Sequence, residues 1–461
     1  MSPPILGAAD ATDSWLQFQS SAGHTGEVSD GAPPPLRLKW KFRIPAKERV
    51  LSGALVDGQL VVAEGRHAVY GVDASACSLT SCPQAWALRR VAGPVAMPAI
   101  VVVGGHHVLL YTEGAKATES GLVAYDLGTD SGPAQPKLLW RAGLDDVTSS
   151  GISVDGSSST AFLGDRSGTV YGVDVSAAKV KGLRPAGDAF AWRFRGEGIV
   201  DAPPAVADGK VFAVLRDQSN GAVDVVAIDE ATGKAAWPQP YSPSAPPTYG
   251  SAPTADGGRV YVGFADQTMR ALDARDGTSL WSSRLNSPFF PLTAPAVSSG
   301  VNVFALATLP GSEAGLYRLD ATTGERSWWF EFGSSTVVSS PVLVGRYVYV
   351  ALDDGSLAAI QQASDVEVWK RGTGSGGLRP LAVGGGMVVV SKAGSRGGLI
   401  AFESDPTGHL VHMVSPTRLN LGRSLRNYVE GFAAVVVVAL LLSYAAGRVR
   451  RRRSRTAEEP A

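Results

Sequence analysis

Ala227-Ile228-Asp229-Glu230-Ala231-Thr232-Gly233-Lys234-Ala235-Ala236-Trp237 carries the punctuation of two β-strands and the turn between them. One strand closes on an apolar-x-Asp ending, where a carboxylate can accept hydrogen bonds from the turn that it opens. Gly233 accepts the positive φ that such a turn requires, and Trp237 gives the next strand a large apolar face. Two later stretches repeat the order. Ala271-Leu272-Asp273 leads through Gly277 to Trp281, and Arg318-Leu319-Asp320 leads through Thr323-Gly324 to Trp328.

Eight of the ten tryptophans fall into one register: Trp40, Trp86, Trp140, Trp192, Trp237, Trp281, Trp328 and Trp369, spaced by about 40 to 54 residues. That spacing is the period of a four-stranded propeller blade. Each unit opens with a small-residue strand (S-G-A-L-V, M-P-A-I-V, S-G-I-S-V, A-P-P-A-V, S-A-P-T-A, A-P-A-V-S, S-P-V-L-V, R-P-L-A-V) and a Gly-containing turn. Alternating strands rich in β-branched and aromatic residues follow, and no unit contains a helical period. Units begin near residues 52, 97, 150, 201, 251, 294, 339 and 378, which makes eight. The last has no Trp strand of its own, so strand 36–44 with Trp40 is expected to complete it and close the ring, leaving no free sheet edge.

The first of these stretches resembles the tryptophan-docking repeat of the quinoprotein (PQQ) propellers, A-x-D-x-x-T-G-K-x-x-W, at Ala227, Asp229, Thr232, Gly233, Lys234 and Trp237. Asp73, Asp126 and Asp174 keep the Asp in turns lengthened by insertions, and the unit ending at Trp369 has Gln361-Gln362 instead. The resemblance implies an all-β, eight-bladed propeller of four-stranded antiparallel blades whose tryptophans hold neighbouring blades together. Upstream, Trp15-Leu16-Gln17-Phe18 and His24-Thr25-Gly26 resemble the lead-in of secreted or membrane-anchored PQQ-like propellers, with His24 a turn residue rather than a metal ligand.

The 44% apolar and 18% charged residues, 54 Gly and 29 Pro suit short strands and tight turns. Lys+Arg and Asp+Glu are equal at 42, so no basic footprint points to nucleic acid. The run 432–446 (F-A-A-V-V-V-V-A-L-L-L-S-Y-A-A) is uncharged and, with flanking Val429 and Gly447, approaches a bilayer span. Arg448 and the arginines at 450–453 follow it and place that end in the cytoplasm. The expected organisation is an export-signal remnant or disordered segment at 1–14 and the propeller at 15–405. A linker at 406–428, a transmembrane helix at 429–448 and a basic tail at 449–461 complete it. An extracytoplasmic propeller needs an export signal. M-S-P-P-I-L-G-A-A-D-A lacks a basic start and an apolar core, so a start upstream of Met1 is expected. Cys77 and Cys82 can form a loop-closing disulfide, with free thiols as the alternative.

The family holds quinoprotein dehydrogenases and a non-catalytic branch that resembles BamB. The dehydrogenases use PQQ, Ca²⁺ held by Glu, Asn and Asp, a base and two adjacent cysteines; Cys77 and Cys82 are not adjacent, and no C-x-x-C-H haem site is present. The resemblance therefore implies an extracytoplasmic interaction platform; with the apolar run as its anchor, the expectation is a monomeric, membrane-anchored module without cofactor or metal, binding an envelope or secreted protein, a peptide or a glycan. The alternatives are a PQQ- and Ca²⁺-dependent dehydrogenase and a sensor with a small ligand in the funnel. Arg195, Glu197, Asp201, Tyr249 and Arg379 are candidates for binding at the funnel mouth, beside Glu48, Asp145 and Asp146.

Overall fold

The structure, a computed structural model, describes residues 14–29, 31–45, 48, 51–129, 135–175, 190–243, 249–285, 293–307, 314–333, 339–374, 377–392, 397–410 and 413–414. Residues 1–13, the run 432–446 and its arginine cluster lie outside them, and no helix among the described residues is long and apolar enough to cross a membrane.

The described residues form eight antiparallel sheets, one per sequence unit. Their innermost strands are Leu55–Asp57, Ala99–Val103, Ser153–Asp155, Ala205–Ala207, Thr254–Asp256, Ala296–Ser298, Val342–Val344 and Leu378–Gly384, which define blades 1 to 8. Neighbouring innermost strands pack side by side from blade 2 through blade 7 and again between blades 8 and 1. Blade 8 is completed from the N-terminal side. Leu36–Arg43 pairs antiparallel with Gly398–Ser404, with Trp40 opposite Ala401, as the missing Trp strand requires.

The tryptophans are inter-blade joints. Trp192 Nε1 donates to Glu230 O at 2.8 Å, Trp237 to Ala274 O at 3.1 Å, Trp281 to Ala321 O at 3.1 Å and Trp328 to Gln362 O at 3.2 Å. Each acceptor belongs to the last turn of the next blade. Beneath each ring lies that turn's glycine: a Cβ on Gly233, Gly277 or Gly324 would sit 2.5, 2.7 or 2.4 Å from ring atoms of Trp192, Trp237 or Trp281. The motif is thus a socket, with Asp229, Asp273 and Asp320 accepting from the turn backbone to hold it.

The unit with the complete motif departs from expectation. Blade 4 has three strands, because Pro238, directly after Trp237, and Pro240 flank Gln239 and cannot donate to the ladder. Trp237 nevertheless docks, so docking does not need the fourth strand. Blade 1 departs differently. Its turn forms a single 3-10 turn, Ala74–Ala76, in which the Cys77 N–H takes the Ala74 carbonyl. This is the carbonyl that a preceding Trp would use, and Trp40 Nε1 is left without a partner. Cys77 and Cys82 are disulfide-bonded there, with Cα atoms 4.1 Å apart, and pack against the cluster that contains Trp40.

Two glycine substitutions separate strain from docking. Gly258 (φ +74°) has open space around it, whereas Gly277 (φ +80°) lies under Trp237. Gly258→Ala is expected to cost about 1–2 kcal/mol. Gly277→Ala is expected to cost roughly 1–3 kcal/mol more from the clash, read by denaturant unfolding. Equal losses would show that the socket is not a joint.

Candidate functional site

In a propeller the ligand question centres on the axis, and here the axis is occupied by the chain itself. The inward edge of each innermost strand presents backbone amides that must find acceptors. Residues 14–28 run round the inside of the ring and supply them. Ser14 and Trp15 pair with Asp57 and Val56 of blade 1. Leu16 O accepts from Ile100 N in blade 2 at 2.7 Å, and the Gln17 amide bonds both Val154 N and Val154 O in blade 3. Ala22, Gly23, Thr25 and Gly26 carbonyls then accept from Val206, Ala255, Val297 and Leu343 at 2.7, 2.8, 2.8 and 2.8 Å, in blades 4 to 7. Each donor is the second residue of its innermost strand. Glu27–Val28 leaves alongside blade 7 as a short parallel pair.

Side chains tighten this thread. His24 is fully buried, with Nδ1 2.9 Å from Pro253 O and Nε2 2.8 Å from Ser153 Oγ, so one imidazole spans blades 3 and 5. Gln19 Nε2 donates to Pro341 O of blade 7 at 3.2 Å. Phe18, 5% exposed, packs among Ala202, Ala252, Ala294 and Met97 and stacks edge-on against His24. This explains the small residues before each innermost strand: the converging strands leave room for one aromatic ring. Gln19, Ser20 and His24 adopt positive φ, a strain held by the surrounding bonds.

The residues expected at the funnel mouth are dispersed. Arg195 ends the outermost strand of blade 3, 3.4 Å from the Ser167 and Thr169 hydroxyls, so it lies at the rim. Asp201 is ion-paired to Arg216 at 2.7 Å, Glu197 is exposed and Tyr249 is half-buried. The Arg379 side chain lies outside what is described. Glu48 is buried and accepts from the Arg66 and His67 amides and from His67 Nδ1. The Asp145 and Asp146 amides donate to Tyr171 Oη and Asp165 Oδ2. Among the described residues no three His, Cys, Asp or Glu side chains are grouped to hold a metal ion.

Sequence reasoning found the lead-in but not its route. It also missed Gln17, Gln19 and the buried pair Glu64–Arg90 between blades 1 and 2, whose shortest contact is 3.1 Å. Only a charged pair breaking an otherwise apolar strand end signals the latter.

Burial holds the His24 imidazole down to about 4 from its ordinary 6.5, against the smaller opposing effect of the Pro253 carbonyl. The unfolded chain therefore takes up this proton first, and the stability is complete above about 6.5 and lost as pH falls toward 4. Between pH 7.5 and 4.5 the wild type is expected to lose about 2–3 kcal/mol more than His24→Asn, measured by denaturant unfolding at both pH values. Parallel losses would show that His24 does not carry this dependence.

Residues 176–311 and 312–456 match the sequence family described as "Outer membrane protein assembly factor BamB". A quinohemoprotein alcohol dehydrogenase, ADH IIB, of Pseudomonas putida is 29% identical over 160 residues, 31% of this chain and 21% of that protein. This chain thus spans about a fifth of that relative's length. Among solved structures, BamB from Moraxella catarrhalis superposes with a TM-score of 0.55 at 17% identity, covering 80% of this chain and 99% of that one. A europium-containing methanol dehydrogenase gives 0.61 at 13% identity, covering 84% and 90%. These structural likenesses speak to the fold.

Proposed function

We propose, from the premise that this chain belongs to the family described as outer membrane protein assembly factor BamB, that it is a non-catalytic interaction module, its propeller presenting loops to a protein partner outside the cytoplasm. The observation that carries this reading is the filled axis. A thread bonded to seven successive blades, with Phe18 at its centre, leaves recognition to the rim and the inter-blade loops. The run 432–446 with its arginines is read as the anchor, with the propeller extracytoplasmic and the C-terminus cytoplasmic.

The residues present do not fit PQQ and Ca²⁺. The cysteines are bonded in the outer turn of blade 1 rather than adjacent above the axis. Asp201 is committed to Arg216, and Glu48 to two amides and His67.

Titration of the full-length protein with PQQ and Ca²⁺ is expected to leave its melting temperature unchanged, without dye-linked alcohol oxidation. Cross-linking in cells from rim positions is expected to recover one envelope protein in near-stoichiometric yield. Quinone-dependent turnover, or no partner from any rim position, would contradict the reading.

A further inference from the structure

The outermost strands of blades 8, 1, 3 and 5 end in an arginine three residues after their tryptophan: Arg43, Arg89, Arg195 and Arg284. Two of these have acceptors nearby. Arg195 has the hydroxyls of Ser167 and of cross-strand Thr169 within 3.4 Å, and Arg284 has Gln267 Oε1 at 3.4 Å. Opposite Arg89 stands Ala68, which has no side-chain acceptor to offer, and the Arg89 guanidinium makes no hydrogen bond or ion pair with the described residues.

Arg89 lines a recess of about 920 Å³ between blades 1 and 2, shared with His67, Ala68, Ala87, Arg90, Val91, Ala92 and Glu113. The walls are rigidly built. Arg90, 4% exposed, donates to the carbonyls of Gly65, Arg66, Pro94 and Thr112 and contacts Glu64, tying together three segments around the recess. Val91 is fixed at both ends, its N–H on Glu113 Oε2 at 2.9 Å and its carbonyl on Gly114 N at 3.2 Å. Glu113 is also held by Arg141 Nε at 2.7 Å, and His67 Nδ1 is turned to Glu48, leaving its Nε2 uncommitted. The one carboxylate lining the recess, Glu113, is therefore answered from within, while the Arg89 fork is not. Burial pushes the Glu64 carboxyl up to about 8, opposed by the Arg90 charge 3.1 Å away. Beside Arg89, Val91 is 44% exposed among three alanines, an aliphatic wall next to a cationic fork.

We propose that this recess is the docking site for an acidic peptide segment of the partner, with a carboxylate held by Arg89 and an aliphatic neighbour laid against Val91, Ala68 and Ala87. An arginine fork takes a carboxylate in two parallel hydrogen bonds, which gives orientation as well as attraction. The inference rests on the interaction-module reading and names the chemistry of its partner.

The test is fluorescence polarisation with the full-length protein in detergent. Its probe is a fluorescein-labelled hexapeptide alternating glutamate with valine or alanine. Arg89→Glu and Arg89→Gln are expected to weaken binding tenfold or more, at unchanged melting temperature, and a glutamine version of the peptide to bind at least tenfold more weakly. Arg284→Glu, at the corresponding position of blade 5, is expected to bind as wild type. The proposal is overturned if Arg89→Glu binds normally, if Arg284→Glu weakens binding equally, or if free glutarate competes at the peptide's own concentration. Recovery of the cellular partner by the Arg89→Glu protein would sink this site while sparing the module reading. Arg89-dependent peptide binding without any recoverable partner would do the reverse.

Discussion

The inward-facing edge of the innermost strands is the constraint on which the rest of the structure depends. Eight sheets arranged around an axis bury their faces against one another, but each still points a row of amides and carbonyls into a narrow space. Unpaired buried amides are costly, on the order of 1–3 kcal/mol each. Here one segment answers the donors of seven blades in chain order: paired strand residues in blade 1, carbonyls of Leu16, Ala22, Gly23, Thr25 and Gly26, and the Gln17 amide. The same segment then crosses to the outside and becomes the last strand of blade 8. A single stretch of chain thus closes the ring at the axis and at the circumference.

That arrangement orders the functional possibilities. With Phe18 and His24 packed at the centre, the polar groups of the axis are already committed, and the uncommitted chemistry lies farther out, where loops of neighbouring blades meet. The junction of blades 1 and 2 buries an ion pair, Glu64 with Arg90. Its buried Glu64 occupies a strand-end position at which blades 3 and 5 carry Gly164 and Gly263. The charge came with compensation: Arg90 gives its donors to four carbonyls, and the segments it joins form the walls of a recess.

Much of the fold was legible because it is written in side chains with one use each. The Trp period, the Asp and Gly of the docking turns, and the missing last strand of blade 8 all have a local physical reason, and each reappears in the structure. The proline pair after Trp237 was equally visible, yet it was outweighed by the completeness of the motif before it. The axial thread was not legible. Its contacts are mostly backbone to backbone, which no residue type announces, and of its positive-φ residues Gln19, Ser20 and His24 only the histidine stood out as a turn residue. The funnel-mouth candidates failed to converge for a related reason: charge near a predicted loop does not say which face or radius of a ring it occupies. The recess at Arg89 depends on what is absent opposite it, and only strand register shows that Ala68 stands where Thr169 stands in blade 3.

The thread is part of the folded ring rather than a dispensable leader. Amide hydrogen exchange at Ile100, Val206, Ala255, Val297 and Leu343 tests it most directly, because each of these N–H groups has its acceptor in residues 16–26. The account predicts that all five exchange as slowly as the central-strand amides of their own blades, and that Phe18→Asp speeds the five together while those central strands stay protected. Exchange of the five at the rate of exposed loop amides in the wild-type protein would contradict it.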